Sequence, residues 1–468
     1  MSHSIGIVIL AAGKGTRMKT DIPKALAICA GYSLLDYVVE ASLSFAKHSS
    51  LKAQIGIVVG HRKEMLEKWW QSHSKKDHIK LAHQKEQNGT ADALKACFND
   101  LPHFWDFDYT LVACADTPLI TENEFNELFK VLQKNAQLVG VAATFETSDP
   151  TGYGRIVNGS NGFRIIEEKD TNEDQKKIKE VNSAFYILKT SHVKAVLGQI
   201  DNKNKSGEFY LTDLFQDNFQ VKAVKFPSET PFLGINTLEQ LANVDRIIRQ
   251  KKVKKLMLDG VRFLNPDSVY LDSKVEIGNG TIIYPGCTII GNTKIAESVL
   301  IESNCFIKDS LIEENVKIFA GSYLEESKVQ KNASVGPMAR LRPGTDLGQE
   351  TKVGNFVEIK KSVLARGAKV SHLSYIGDAE IGENSNIGCG FITCNYDGVN
   401  KHKTKIGSNT FVGSDCQAVA PIEIGNDAFV AAGSTITKSI PNGGFAIART
   451  QQVTKEGKAK NFLKPKKA

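Results

Sequence analysis

Through much of the second half of the chain an apolar residue recurs at every sixth position. The series runs Ile277, Ile283, Ile289, Ile295, Ile301 and Ile307; after a one-residue slip come Ile312, Ile318 and Leu324. It resumes at Val335, Leu341, Leu347, Val353 and Ile359, and again at Ile406, Val412, Ala418, Ile424, Val430 and Ile436. Six fits neither the 3.6-residue helix nor the two-residue strand repeat. It is the spacing of a hexapeptide solenoid, in which three short strands make one coil and the inward aliphatic residues stack from coil to coil. At about 18 residues per coil, roughly ten coils fit between Asn265 and Gly443. Turn formers follow the apolar residue at IGNG, VGNF, IGEN, IGSN, VGSD and IGND.

The first ~230 residues follow another pattern. IGIVIL, AQIGIVVG, YTLVACAD, LVGVAATF and AFYIL are β-rich runs, and LLDYVVEASLSFA and ENEFNELFKVLQKN between them have helical spacing. That alternation predicts an α/β layer with a mostly parallel sheet, whose ligands bind beyond the carboxyl ends of the strands. Residues 236–256 read as one helix with Asn236 or Thr237 at its start and Leu238, Leu241, Val244, Ile247 and Ile248 on one face.

Composition narrows the class. The chain has 468 residues, 41% hydrophobic and 24% charged, as in an ordinary globular protein of several domains. The net charge is +7, of which residues 451–468 carry +5, from Lys455, Lys458, Lys460, Lys464, Lys466 and Lys467 against Glu456. The remaining +2 is no nucleic-acid surface. No apolar run reaches the ~20 residues of a membrane span, and the first apolar run reads as a strand, not a signal peptide. The eight cysteines (29, 97, 114, 287, 305, 389, 394, 416) form no CxxC pair. Free thiols and a cytoplasmic location are the expectation.

The candidate chemistry begins at IGIVILAAGKGTRMKTDIPKAL (Ile5–Leu26), an apolar run that drops into a glycine-rich loop. The loop lacks the glycine spacing of a P-loop, and Met18 stands where the dinucleotide fingerprint needs its third glycine. Glycine turns still let backbone N–H groups approach phosphate oxygens, and Arg17 and Lys24 add positive charge. The pattern of Leu10, Gly13, Gly15, Arg17, Met18, Pro23 and Lys24 resembles the sugar-phosphate nucleotidylyltransferases, which join a nucleoside triphosphate to a sugar 1-phosphate and release pyrophosphate.

QKEQNGTADAL, DPTGYGRI, IIEEKD, EVNSAFY, EFYLTDLF and LGIN follow in order and precede the hexad repeat. Together they resemble one family over Ile5 to about Gly457, the bacterial bifunctional N-acetylglucosamine-1-phosphate uridyltransferases and glucosamine-1-phosphate acetyltransferases. The resemblance implies a Rossmann-like α/β nucleotidyltransferase domain at 1–234, a linker helix at 235–256, and a left-handed parallel β-helix with a basic tail at 257–468. It implies acetyl transfer from acetyl-CoA to glucosamine 1-phosphate, then uridylyl transfer from UTP to N-acetylglucosamine 1-phosphate with Mg²⁺. The assembly expected is a homotrimer, with no nucleic acid and no membrane as partner.

By the same resemblance Leu10, Ala11, Ala12, Gly13, Arg17 and Lys24 hold the nucleotide, and Gln84, Gly89 and Thr90 select uracil. Gly154, Glu167 and Asn182 hold the sugar, and Asp116 and Asn236 the metal. In the β-helix His372 is the candidate base, since an amine attacking a thioester must lose a proton. Glu358 is a possible orienting partner for it. Arg342, Lys360 and Tyr375 grip the phosphate, and Asn386, Asn395, Tyr396 and Lys401 extend the site. Cys389, Asn395, Tyr396, Ser414, Ala432 and Arg449 line the acetyl-CoA groove, which the basic tail of a neighbour is expected to cover. Three places depart from the family: Cys114-Ala115-Asp116 replaces Tyr-Gly-Asp, Ser183-Ala184 replaces Thr-Gly after Asn182, and Gly388-Cys389-Gly390-Phe391 replaces Gly-Ala-Gly-Thr. A thiol at Cys389 is expected to make acetyl transfer oxidation-sensitive. The competing reading is a single-activity nucleotidylyltransferase whose β-helix only oligomerises or regulates; a third is a non-catalytic scaffold.

Overall fold

The computed structural model describes residues 3–160 and 162–463, which fall into two compact units divided between Ile248 and Arg249. The first is built on one sheet. Its strands lie in the order Val221–Phe226, Gly140–Glu146, Glu180–Lys189, Tyr109–Cys114, Ser4–Leu10, Lys52–Val59, Ile79–His83. The neighbours are parallel except around Glu180–Lys189, which runs antiparallel to both strands beside it. A hairpin of Arg155–Asn158 and Phe163–Ile166 joins through Val181.

The continuous apolar runs have a cause. Ile5, Ile7 and Ile9 pack into one core with the helices Leu34–His48 and Glu122–Lys134, while Val8 faces a second core with Thr90–Asp100. A strand covered on both faces has no polar side to alternate with. Ser33 with Asp36 and Thr121 with Glu124 close reciprocal capping boxes at the starts of Leu34–His48 and Glu122–Lys134. The strands Ile79–His83 and Val221–Phe226 were not foreseen from the sequence.

The helix expected at 236–256 spans Leu238–Leu258. Thr237 begins it: its Oγ1 accepts from the Gln240 N–H, and Gln240 Oε1 accepts from the Thr237 N–H, each at 3.1 Å. Val244 and Ile248 are buried, but Leu238 is 55% exposed, because the packed face begins one turn later than the spacing suggested.

The second unit consists of strands two to four residues long in three parallel sheets of eleven, ten and nine strands. Except at the last turn, where Phe429–Val430 pairs with Phe445–Ala446, strands pair with the strand three further on, so the chain passes through all three sheets in each circuit, the connectivity of a parallel β-helix. The hexad residues point inward in ladders such as Ile283, Ile301, Ile318, Val335 and Val353, all essentially inaccessible. Five-residue steps are commoner than the single slip in the sequence reading. They occur at 307 to 312, 324 to 329, 359 to 364 and 376 to 381, always at the same corner. Each short corner carries a non-glycine left-handed residue, Asp309, Glu326, Lys361 or Asp378, where the six-residue steps at this corner have Gly291 and Gly344. Val329 thereby fills the place that appeared empty between Leu324 and Val335. One circuit is long: Ile387 pairs with Val412, 25 positions on, and the excess forms a loop between Cys394 and Thr404.

Candidate functional site

In the first unit the chemistry gathers at the carboxyl ends of the central strands. Beyond Leu10 the Ala11 N–H bonds to Val58 O, and the chain turns through Gly15 at φ 59° into the short 3₁₀ turn Thr16–Met18. A side chain on Gly15 would press on Lys24 Cβ, so the glycine is what lets Lys24 come alongside the loop. The Lys24 ammonium contacts Asp116 Oδ2 and donates to Asn236 Oδ1 at 3.0 Å. Arg17 Nη2 donates to the same Asn236 oxygen at 2.9 Å. The Ile235 N–H, bonded to Asp116 O at 3.0 Å, pins the two oxygen-bearing residues together. Thus a carboxylate oxygen and an amide oxygen converge on one cation position, the donor set a hard cation takes. Among the described residues no cluster of three or more His, Cys, Asp or Glu could hold a metal by itself.

A cavity of about 310 Å³ opens beside this cluster. Leu10, Ala11, Ala12, Gly13, Lys24, Gln84, Gly89, Thr90 and Asp116 line it, so the structure brings together most of the proposed nucleotide residues. Gln84 is buried, and its amide donates to Gly89 O at 3.0 Å and to Asp92 Oδ2 at 2.8 Å. Both amide protons are spent, which leaves the acceptor oxygen of Gln84 for a ligand. Gly89 has φ 125°, and any side chain there would collide with the backbone of Phe209. That contact locks the QNGT segment to EFYLTDLF, with Thr90 Oγ1 accepting from the Leu211 N–H. Gln87 and Glu208 also line the cavity. The sequence reading passed over both, although they lie inside its quoted stretches.

Gly154, Glu167 and Asn182 lie outside that lining. The Asn182 N–H bonds to Gly154 O at 2.9 Å, its side chain donates to the Tyr186 hydroxyl at 2.7 Å, and Glu167 accepts from Thr212 Oγ1 at 3.1 Å. Glu167 borders a separate hollow of about 950 Å³ with Asp170 and Asp213. Burial raises the Glu167 carboxyl above its ordinary value, and the Thr212 bond only partly offsets this. A raised carboxyl costs stability only where it is ionised. The penalty grows as pH rises from the ordinary glutamate range through the folded value and is complete above it. Glu167→Gln, which retains an acceptor for Thr212, is therefore expected to raise Tm at pH 7 and to lose that advantage near pH 4, as thermal unfolding at both pH values will report.

Asn182 stands at a bulge in Glu180–Lys189, where the register shifts between Asn182 and Tyr186. Ala184 adopts φ 64° there, the very position at which the family pattern has glycine. Ala184→Gly is expected to stabilise the protein by about 1 kcal/mol, measured by denaturant unfolding, since alanine pays for its Cβ in the left-handed region. The other local departure has no such strain. Ala115 is buried with its N–H on Leu10 O, and burial together with the nearby Asp116 charge pushes the Cys114 thiol up to about 12.

In the second unit, register builds a column of cations. Leu341 opposes Ile359 and Lys360 opposes Gly377, so Arg342, Lys360 and Gly377 stack in successive coils. The Tyr375 ring lies over Gly377, where a side chain would displace its hydroxyl. Contact with the Lys401 ammonium is the main cause lowering the Lys360 pKa; desolvation and the Arg342 charge add to it. Arg342 and Lys360 therefore stack beside the Tyr375 hydroxyl, with the Lys401 charge acting on Lys360. Glu358 corrects the sequence reading. It accepts from Arg342 Nη1 at 2.8 Å, and its register partner is Tyr375, while His372 lies opposite Asn355 on the neighbouring sheet.

His372 is exposed at the corner between these two sheets, and Ser374 Oγ donates to its carbonyl at 2.7 Å. Asn386 follows one coil later on the sheet of His372. From His372 a line of backbone bonds descends the same corner: Gly390 N–H to Leu373 O, Asp415 N–H to Cys389 O, and Gly433 N–H to Ser414 O. Arg449 Nη1 closes it on Ala432 O at 2.7 Å. Cys389, Ser414, Ala432 and Arg449 thus form one edge that leads to His372. Asn395 and Tyr396 stand in the long loop, Asn395 Nδ2 on Asp378 Oδ2 at 2.5 Å and Tyr396 59% exposed. Lys455, Lys458 and Lys460 of the basic tail are exposed, and Lys464, Lys466 and Lys467 lie outside the described residues.

Known proteins agree in both units. Residues 7–229 match the nucleotidyl transferase family model, and residues 324–445 match that of the GMPPB C-terminal domain. The bifunctional protein GlmU of Trichlorobacter lovleyi is 42% identical over 456 residues, covering 96% of this chain and 97% of its own. That of Caldanaerobacter subterraneus is 42% identical over 464 residues, with 98% of each chain covered, and that of Clostridioides difficile is 38% identical over 456, with 96% of each. With such identity along nearly the whole length, the chain belongs to the GlmU family, the bifunctional enzymes that make UDP-N-acetylglucosamine through an acetyltransferase and a uridylyltransferase activity.

Proposed function

We propose that the two clusters divide the two reactions, with uridylyl transfer in residues 1–234 and acetyl transfer in 257–468, on either side of the helix at 235–256. The observation that carries this reading is the pair of separate cationic centres, Lys24–Arg17 in one unit and Arg342–Lys360–Lys401 in the other. Each suits a phosphorylated substrate.

For uridylyl transfer the nucleophile is a phosphate oxygen already ionised, so the protein's task is to bring polyanions together in line. Leu10 to Gly13 receive the nucleotide, and Gln84 offers its acceptor oxygen to the imide N–H of uracil, a donor that cytosine lacks. Gly89 and Thr90 close the base pocket, and Arg17 and Lys24 neutralise the triphosphate. Gly154, Glu167 and Asn182 hold N-acetylglucosamine 1-phosphate. Asp116 and Asn236 would hold Mg²⁺, which supplies charge neutralisation at the phosphates when bound. Their oxygens already share one cation, which supports this assignment.

For acetyl transfer Arg342, Lys360, Lys401 and Tyr375 bind the phosphate of glucosamine 1-phosphate, with Asn386 on the sugar. Cys389, Ser414, Ala432 and Arg449 guide acetyl-CoA along their edge, with Asn395 and Tyr396 beside it. The amine attacks the thioester carbonyl, the CoA thiolate leaves, and His372 takes the amine's proton. The phosphate residues and Asn386 flank opposite sides of one corner, and the assembly proposed is a homotrimer of left-handed β-helices. UTP and acetyl-CoA as substrates support a cytoplasmic location, and no helix among the described residues is long and apolar enough to cross a membrane.

The test is one reaction series on the purified protein with glucosamine 1-phosphate, acetyl-CoA, UTP and Mg²⁺, following CoA and pyrophosphate separately. Release of both supports the reading. Pyrophosphate from N-acetylglucosamine 1-phosphate without any CoA release would overturn its acetyltransferase half.

A further inference from the structure

The long circuit spends its extra residues on a loop that is strapped from within. Asp397 uses both carboxylate oxygens: Oδ1 accepts from the Val399 and Asn400 N–H groups at 2.8 and 2.6 Å, and Oδ2 accepts from His402 Nε2 at 2.6 Å. Those bonds hold the Asp397 carboxyl well below its usual range, the Asn400 N–H first and the His402 contact next. An isolated bridge between Tyr396 and Lys401 ties the two arms of the loop, and the His402 N–H bonds to Asn395 O at 2.8 Å. Asn395 in turn is fixed to Asp378 on the barrel wall.

Lys401 sits between these ties, and its charge acts on Lys360, whose pKa it lowers. Two like charges part unless something fixes them, and a side chain as long as lysine has ample freedom to move away. Backbone bonds flank Lys401 on both sides, Asp397 N–H to Asn400 O at 3.2 Å and His402 N–H to Asn395 O at 2.8 Å, so the loop that carries it is closed at its base next to Asp378, whose own N–H bonds to Lys360 O. The His402 imidazole adds a side-chain tie next to Lys401 by gripping the Asx turn across the loop. We infer that His402 and Asp397 are positioning residues, a strap that aims Lys401 at the phosphate of the sugar substrate. This inference rests on the reading that Lys360 and Lys401 bind that phosphate. The pair is partly exposed, 32% for His402 and 45% for Asp397, so its effect falls on the aim of Lys401 and little on overall stability.

The test compares His402→Ala, His402→Gln and Lys401→Ala in steady-state acetyl transfer, with pyrophosphate release from N-acetylglucosamine 1-phosphate reporting intact folding. His402→Ala is expected to raise KM for glucosamine 1-phosphate about tenfold with kcat within twofold. Glutamine puts an amide N–H where Nε2 stands, and His402→Gln is expected to restore KM to within twofold. A purely structural role would lower the active fraction, seen in kcat, and leave KM alone. If Lys401→Ala raises KM and His402→Ala does not, the strap is overturned while the phosphate reading stands. If Lys401→Ala leaves KM unchanged, the phosphate reading falls and the strap with it.

Discussion

Replacing Asp116 by alanine is expected to lower pyrophosphate release about 10³-fold and to leave CoA release from acetyl-CoA and glucosamine 1-phosphate within twofold of the parent. Among the described residues the carboxylate is the one full negative charge in contact with Lys24, and Asn236 supplies just an amide oxygen beside it. Without Asp116 that amide is left with both Arg17 and Lys24, and the proposed Mg²⁺ site would lose its charged ligand. Asp116→Asn separates shape from charge: it keeps the size of the side chain and is expected to lose nearly as much rate. Both rates come from one enzyme preparation given each intermediate in turn. Pyrophosphate release within tenfold of the parent in Asp116→Ala would remove this residue from the metal site.

His372→Ala is expected to cut CoA release by about 10² to 10⁴, the usual contribution of a positioned acid–base group. Pyrophosphate release from N-acetylglucosamine 1-phosphate should be unchanged. His372 is exposed at a corner whose path is set by backbone bonds, by the left-handed Leu373 and by Ser374 on its own carbonyl. The imidazole can be removed without taking that frame away, so Tm should hardly move. Near-normal CoA release from this variant would mean that solvent or another group takes the proton.

Membership in a bifunctional family sets aside the single-activity reading that the hexad half alone left open. The three departures from the family pattern also have different weights. Ala184 occupies a left-handed position and carries a steric cost, whereas Ala115 fits its buried strand end without one. Cys389 stands on the corner edge below His372, with its carbonyl accepting from Asp415.

What the sequence determined by itself was local. Six-residue spacing is a short-range pattern, and burying it in stacked coils is the only way to keep such a ladder from water. Runs like Ile5–Leu10 are apolar without a break because both faces of their strand are covered. Gly15, Lys24, Asp116 and Asn236 could each be named from a neighbourhood of a few residues. That one lysine is shared by Asp116 and Asn236, which lie more than a hundred residues apart, was decided by the strand order. The Thr90 segment meets Phe209 for the same reason, and Gly89 is needed only because the two backbones touch. In the β-helix the outward side chains depend on corner length. A corner one residue shorter shifts every later column, so Glu358 falls beside Arg342 and Tyr375 while His372 falls beside Asn355. The His402–Asp397 bond left no periodic trace, because it closes within a single loop whose geometry follows from its own hydrogen bonds and not from the repeat.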